Sequence, residues 1–186
     1  MQTLYKVVIY TCCSILFSSC EFNCSIGKNK DEPESSQRVP ASGKEKNGTV
    51  ITNNIFLESK GFKIKKATLL LPNRSQVPDN NMVGLNQNIK LVLDIDAGWN
   101  LKDGKAFVGA SEKITTDGGQ TIVDKGDLFA DYSTTGFNAE DAKVVSLSAV
   151  ITSEDNGINY YVVNFRVWDK NGDGEIRGHY KFFIKH

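Results

Sequence analysis

Apolar and polar residues alternate with period two through most of the chain after about Ile51. "NIKLVLDID" puts Ile89, Leu91, Leu93 and Ile95 on one face and Lys90, Val92, Asp94 and Asp96 on the other. "VVSLSAVIT" groups Val145, Leu147, Ala149 and Ile151, with Ser146 and Ser148 opposite. "YYVVNFRVWD" groups Tyr161, Val163, Phe165 and Val167, and "HYKFFIKH" groups Tyr180, Phe182 and Ile184. Successive side chains of a strand point to opposite faces, so this alternation predicts half-buried strands. Weaker strand patterns are "GFKIKKATLLL" (Gly61–Leu71), "AFVGASEKIT" (Ala106–Thr115) and "QTIVD" (Gln120–Asp124).

Turn residues separate these runs. Asp117–Gly119 and Asn171–Gly174 each sit between two strand patterns and predict hairpins. "NAEDAKV" is the one stretch that predicts a helical turn, with Asn138 as N-cap and Glu140 and Asp141 in its first turn. About seven or eight short strands in one domain predict an all-β fold, a single antiparallel β-sandwich of immunoglobulin-like architecture. A closed barrel is the alternative. The resemblance to immunoglobulin domains is architectural only, because the cysteine pair of antibody domains is missing.

The N-terminus follows another pattern. "MQTLYK" carries one cation, Lys6; Val7–Phe17 is apolar and uncharged; Ser18, Ser19 and Cys20 follow. A cation, an apolar run of about 7–15 residues and small residues describe a secretory signal peptide. The run is too short for a membrane span of about 20 residues. "FSSC", with Cys20 after two small residues, resembles the lipobox of bacterial lipoproteins of the Bacteroidota type. That resemblance implies that residues 1–19 are removed, that the Cys20 thiol takes a diacylglyceryl group, and that the mature chain begins there. Two or more acyl chains hold a protein firmly on a bilayer. The expected location is the bacterial cell envelope, lipid-anchored at the outer membrane. The alternative is ordinary secretion, with Cys20 and Cys24 paired or free.

All four cysteines, Cys12, Cys13, Cys20 and Cys24, lie in this N-terminal part. The remainder therefore offers no cysteine-based zinc or redox site. Ser25–Gly48 is rich in Lys, Glu, Ser, Gly and Pro, with Ile26, Val39 and Ala41 as its apolar residues. Such a composition buries too little to offset the entropy of ordering and predicts a flexible tether. The expected organisation is a signal at 1–19, a lipidated cysteine and linker at 20–50, and a β-sandwich at 51–186.

Lysine plus arginine and aspartate plus glutamate both total 22, so the formal net charge is zero. Nucleic acid, which favours a basic surface, is not an expected partner.

Three groups of residues are candidates for chemistry. In "DKNGDGEI", Asp169, Asn171 and Asp173 stand at alternate positions before Gly174, like the first half of a calcium loop. The twelfth position, where an EF-hand needs a bidentate Glu, is Tyr180, and both flanks read as strands. The loop is thus a hairpin turn that takes calcium only with a carboxylate from elsewhere; no other cofactor is expected. The second group is the outward stripe of the Tyr160–Asp169 strand. Tyr160, Arg166 and Trp168, joined by Trp99 from a loop, form a candidate face for an envelope protein or glycan. The third is a set of carboxylates, Asp94, Asp96, Asp103, Asp117, Asp124, Asp127 and Asp131. A facing pair of these would suit a hydrolase; turn and solvent positions account for them as well. The chain has two histidines, His179 and His186, and no nucleophile-elbow motif. The expected function is a non-enzymatic, membrane-anchored binding or assembly module. A small carboxylate-dependent hydrolase, with or without calcium, is the alternative.

Overall fold

The structure is a computed structural model that describes residues 25–26, 44–46, 48–152 and 157–185. The signal peptide, Cys20, Cys24 and most of the expected tether lie outside the described residues. The strands, in chain order, are β1 (Ser25–Ile26), β2 (Lys44–Lys46), β3 (Thr49–Ile51), β4 (Phe56–Lys60) and β5 (Lys63–Leu70). Next come β6 (Met82–Gly84), β7 (Ile89–Ala97), β8 (Lys105–Ala106), β9 (Val108–Thr116) and β10 (Thr121–Lys125). The last four are β11 (Phe137–Asn138), β12 (Val144–Ala149), β13 (Tyr161–Asp169) and β14 (Glu175–Lys185). β1 and β2 fall within the stretch expected to be linker, and ordered strand resumes at Thr49.

The strands form two large sheets face to face, the expected β-sandwich, with β8 and β11 paired as a separate two-stranded ribbon. The first runs β1-β12-β7-β5-β3-β2; the second runs β10-β9-β13-β14-β4, with β6 also on β14. Pairing is antiparallel except at two margins, where β3 runs parallel to β5 and β6 parallel to β14. β14 is long enough to hold two neighbours on one edge, β4 beside Glu175–His179 and β6 beside Phe183–Lys185. The hairpins at Asp117–Gly119 and Asn171–Gly174 form where expected, joining β9 to β10 and β13 to β14.

The core is made by the faces that the alternation assigned to it. Ile89, Leu91, Leu93 and Ile95 of β7 and Val145, Leu147 and Ala149 of β12 are buried. From the other sheet they meet Tyr161, Val163, Phe165 and Val167 of β13 and Tyr180, Phe182 and Ile184 of β14. β5 shows why its pattern was weaker. Register shifts around Ile64–Lys66 leave Lys65 unpaired, so Ile64 and Ala67 face inward three residues apart. A bulge of this kind adds one residue and breaks the period of two.

The helical turn is a short 3-10 turn, Asp141–Lys143, preceded by Glu140 rather than capped by Asn138. The Asn138 amide instead donates to Asp141 Oδ2 at 3.0 Å, while its backbone pairs with Lys105 in the β11–β8 ladder. Among the described residues no helix is long and apolar enough to cross a membrane.

Candidate functional site

The solvent face of the second sheet is ruled by cross-strand register. Asp124, Lys113, Asn164, His179 and Phe56 lie side by side on β10, β9, β13, β14 and β4. Two residues along, Ser111, Arg166, Arg177 and Glu58 form a second row. Paired residues share a face and stand about 5 Å apart, so each row is a continuous strip of side chains. Between the rows lies an open trough of ≈ 590 Å³, lined by the first row and by Ser111, Arg166 and Arg177 of the second, with Lys125 and Gly126 at one end.

Phe56 is 49% exposed, unusual for a phenylalanine, and stacks on His179 with ring centroids 5.0 Å apart and planes 22° apart. Arg166 and Arg177 share one carboxylate: Glu175 accepts from Nε of Arg166, and from Nε of Arg177 at 2.9 Å. The Arg177 hydrogen bond, with that of Arg166, holds the Glu175 carboxyl below the usual glutamate range against the opposing effect of burial. Lys113 pairs with Asp124 at 3.2 Å across the β9–β10 hairpin.

Of the four residues expected to make a binding face, Arg166 alone lines this trough. Trp168 lies flat on the sheet: a Cβ placed on Gly109, its partner on β9, would fall 2.1 Å from the indole. The Arg166 guanidinium sits 4.7 Å from the same ring. Tyr160 is about 26 Å from Trp168 along the strand, at about 3.3 Å per residue. It stacks there with Lys181, 4.4 Å from its ring centre. Trp99 packs edge-on against Phe62 at 4.7 Å, and its indole N–H donates to the Ala142 carbonyl at 3.0 Å. Trp99 thus anchors the loop after β7 through Phe62 and Ala142.

The Asp169 loop is organised by backbone hydrogen bonds. Asp169 is buried; its Oδ1 accepts from Asn171 N at 2.9 Å and its Oδ2 from Asn100 N at 2.6 Å. The Asn100 amide donates to the Asn171 carbonyl at 2.9 Å. These bonds tie the β13–β14 turn to the loop after β7. The Asp173 side chain is 90% exposed, with Lys60 at 3.9 Å. Among the described residues no three or more His, Cys, Asp or Glu side chains gather as a metal site.

Of the remaining carboxylates, Asp96, Asp117 and Asp127 each engage separate partners. Asp96 lies between Lys63 at 2.9 Å and Lys65 at 3.0 Å, and their hydrogen bonds bring its carboxyl down to about 2. Asp117 accepts from the Asn159 side chain at 2.6 Å, which lowers it below the usual aspartate range. Asp127 pairs with Lys170 at 2.6 Å.

One carboxyl stands apart. Glu112 points inward from β9, in register with buried Phe165, and is 1% exposed. Neither of its oxygens, nor the Tyr180 hydroxyl, has a hydrogen-bond partner among the described residues. Burial pushes the Glu112 carboxyl up to about 8. Burial, then the charge of Glu112, pushes the Tyr180 hydroxyl well above its ordinary value.

Sequence reasoning set Asn164 beside Arg166 on the outward stripe of β13 but missed Phe56 and His179 as parts of the same surface. β4 has no clear alternation, so nothing in "FLESK" marked a strand or set it beside β14. The face exists only where the β9–β10 and β13–β14 hairpins and β4, three segments distant in sequence, pair into one sheet.

The fold and this face together describe a β-sandwich with an open, aromatic-ended trough on one sheet. No protein-family model and no curated protein matches the chain. Among solved structures it is similar to one titled "Crystal structure of the C-terminal domain of wzt", at 13% identity and a TM-score of 0.45. The alignment covers 72% of this chain and 79% of that one.

Proposed function

We propose that this protein is a lipid-anchored lipoprotein of the bacterial envelope, at the outer membrane, that acts as a non-enzymatic binding module. The outer face of the second sheet is its binding surface. The observation that carries the binding half is the trough itself. It combines a half-exposed phenylalanine ring with amide, guanidinium and ammonium donors on a rigid sheet. Binding surfaces favour such large rings and arginines, and a sheet holds them in place before the ligand arrives. The anchoring half rests on "FSSC" and Cys20 in the sequence. Against a hydrolase reading, Asp96, Asp117, Asp124 and Asp127 each engage a separate partner rather than facing one another.

Expression of the full chain in a Gram-negative host with labelled palmitate tests the anchor. Label is expected in the wild type and absent from Cys20→Ser, with the variant moving to the soluble fraction. Equal labelling of the two proteins, or none in either, would remove the anchor. The binding half is read separately, by loss of envelope cross-links from Phe56→Ala.

A further inference from the structure

We infer that the trough of the second sheet takes an acidic saccharide, one whose rings carry carboxylate or phosphate groups. The inference rests on the binding-face reading above and names its ligand class.

The trough crosses the face of the sheet from β10 to β4, and the backbone N–H and C=O groups of the three strands beneath its middle, β9, β13 and β14, are committed to their ladders. A peptide that adds as a strand uses an exposed sheet edge and its free backbone groups. Here recognition falls to side chains alone.

Those side chains have two chemistries. At the β4 end, Phe56 and its stacked partner His179 present an apolar ring platform to solvent. The C–H face of a pyranose ring is apolar and slightly positive, and it lies well on the negative face of an aromatic ring. Asn164, next to His179 in the row, supplies both an amide donor and an acceptor, the pair that a sugar's hydroxyl groups need. The five strands span about 19 Å from β10 to β4, at about 4.8 Å per gap, which is room for a short oligosaccharide.

The second chemistry is charge. Lys113, Lys125, Arg166 and Arg177 line the trough, and Asp124 is the acidic side chain on its solvent side. Glu175 lies beyond the lining and serves both arginines through Nε. Glu58 stands opposite Arg177 in the same row, so four cations meet the three carboxylates Asp124, Glu175 and Glu58 and keep a positive excess of one; a guanidinium fork matches carboxylate and phosphate geometry. Arg166 and Arg177 face each other across β13 and β14, in the row beside Asn164 and His179. A ring seated on Phe56 and His179 therefore places an acidic substituent within reach of Arg177. A neutral glycan would use the platform and leave this charge unmet.

The test is binding of the full-length protein in detergent to a fixed panel: polygalacturonate, alginate, phosphomannan, neutral dextran, neutral mannan and poly-glutamate. Affinity electrophoresis gives the ranking and calorimetry the constants, with circular dichroism melts confirming that variants fold. At least one acidic polysaccharide is expected to bind, and to weaken with added salt. Dextran, mannan and poly-glutamate are expected not to. Phe56→Ala and Arg177→Gln should each weaken binding at least tenfold; Asn164→Ala, at the trough centre, should weaken it severalfold. Binding of poly-glutamate as tight as that of the polysaccharides would overturn the saccharide class, leaving a general anion surface. A neutral glycan bound as tightly, sensitive to Phe56→Ala but not Arg177→Gln, would overturn the acidic class and leave the binding face standing. No binding to any acidic member would overturn the inference; cross-links lost in Phe56→Ala would then still support the face, and their persistence would end both readings.

Discussion

Glu112 shows how much one side chain can set the behaviour of this domain. It occupies an inward position between Ala110 and Ile114, both buried, with no partner for its carboxyl among the described residues. Burial disfavours the charged form, so the folded protein keeps a proton that the unfolded chain releases near 4.5. Between 4.5 and about 8 the native state binds more protons than the unfolded state, so stability falls as pH rises through that window and levels off above it. The full window corresponds to a loss on the order of 4–5 kcal/mol, an upper bound because water entry relieves part of it. Urea unfolding of the wild type should therefore show a midpoint that drops from pH 5 to pH 9. Glu112→Gln should flatten that slope, and Glu112→Leu should raise the midpoint most at pH 9. A wild-type midpoint that rises with pH across this range would contradict the assignment. The sequence marked "AFVGASEKIT" as a weak strand because Glu112 breaks its inward face: a charged residue reads as an outward position unless the fold shows otherwise. The aromatic end of the trough was hidden for the complementary reason. Phe56 reads as core by residue type, yet the edge position of β4 leaves it half in solvent.

At the level of elements, the strands that were legible are those with a strict period and central position, β7, β12, β13 and β14. The buried faces of β7, β13 and β14 match the alternation residue for residue, whereas β12 buries Ser146 and Ser148 of its polar face as well as Val145, Leu147 and Ala149. β4 and β6 were not legible, being three to five residues long and held at sheet margins by partners distant in sequence. Pairing also decided the fate of Trp168, which the period correctly placed on the outer face of β13. Gly109 stands opposite it on β9, and the indole fills the space that a side chain would take. Glycine is weak in a strand for want of packing, and a neighbouring aromatic ring covers that defect. Gly109→Ala would drive a methyl into the ring at 2.1 Å from its nearest atom, against a side chain braced by Arg166. The variant should lose about 1–3 kcal/mol, as overpacked sites do. It should also shift tryptophan emission to the red as Trp168 lifts into solvent. Unchanged emission with unchanged stability would mean that the indole has another resting place.

The whole molecule depends on keeping two sheets in one fixed relation, and apolar packing alone is tolerant of sliding. A buried pair of asparagines supplies a directional tie. Asn53 Nδ2 donates to Asn81 Oδ1 at 3.0 Å and to the Val77 carbonyl at 2.9 Å. Asn53 Oδ1 accepts from the Thr52 hydroxyl at 2.9 Å and from Leu69 N, on β5 of the first sheet, at 3.3 Å. Asn81 Nδ2 returns a bond to the Asn53 carbonyl at 2.8 Å and reaches the Lys181 carbonyl, on β14 of the second sheet, at 2.7 Å. Both residues sit in the left-handed region, at φ 56° and 55°, where asparagine is tolerated better than most side chains. Neither "NN" dipeptide advertised this role, because each reads as an ordinary turn and the bridge spans 28 residues between them. Asn81→Ala would strand the Lys181 and Asn53 carbonyls and force alanine into a left-handed turn. A cost of about 2–4 kcal/mol is expected, since buried groups left without partners bear their full desolvation penalty. Asn81→Gly removes the same hydrogen bonds but not the backbone tolerance, so it should fall short of alanine by about 1 kcal/mol. Both should lower the urea midpoint with little change in slope if the sheets still unfold as one unit. A shallower or biphasic transition in Asn81→Ala would show instead that the asparagines couple the two sheets into a single cooperative fold, and that the trough sheet can loosen without the other.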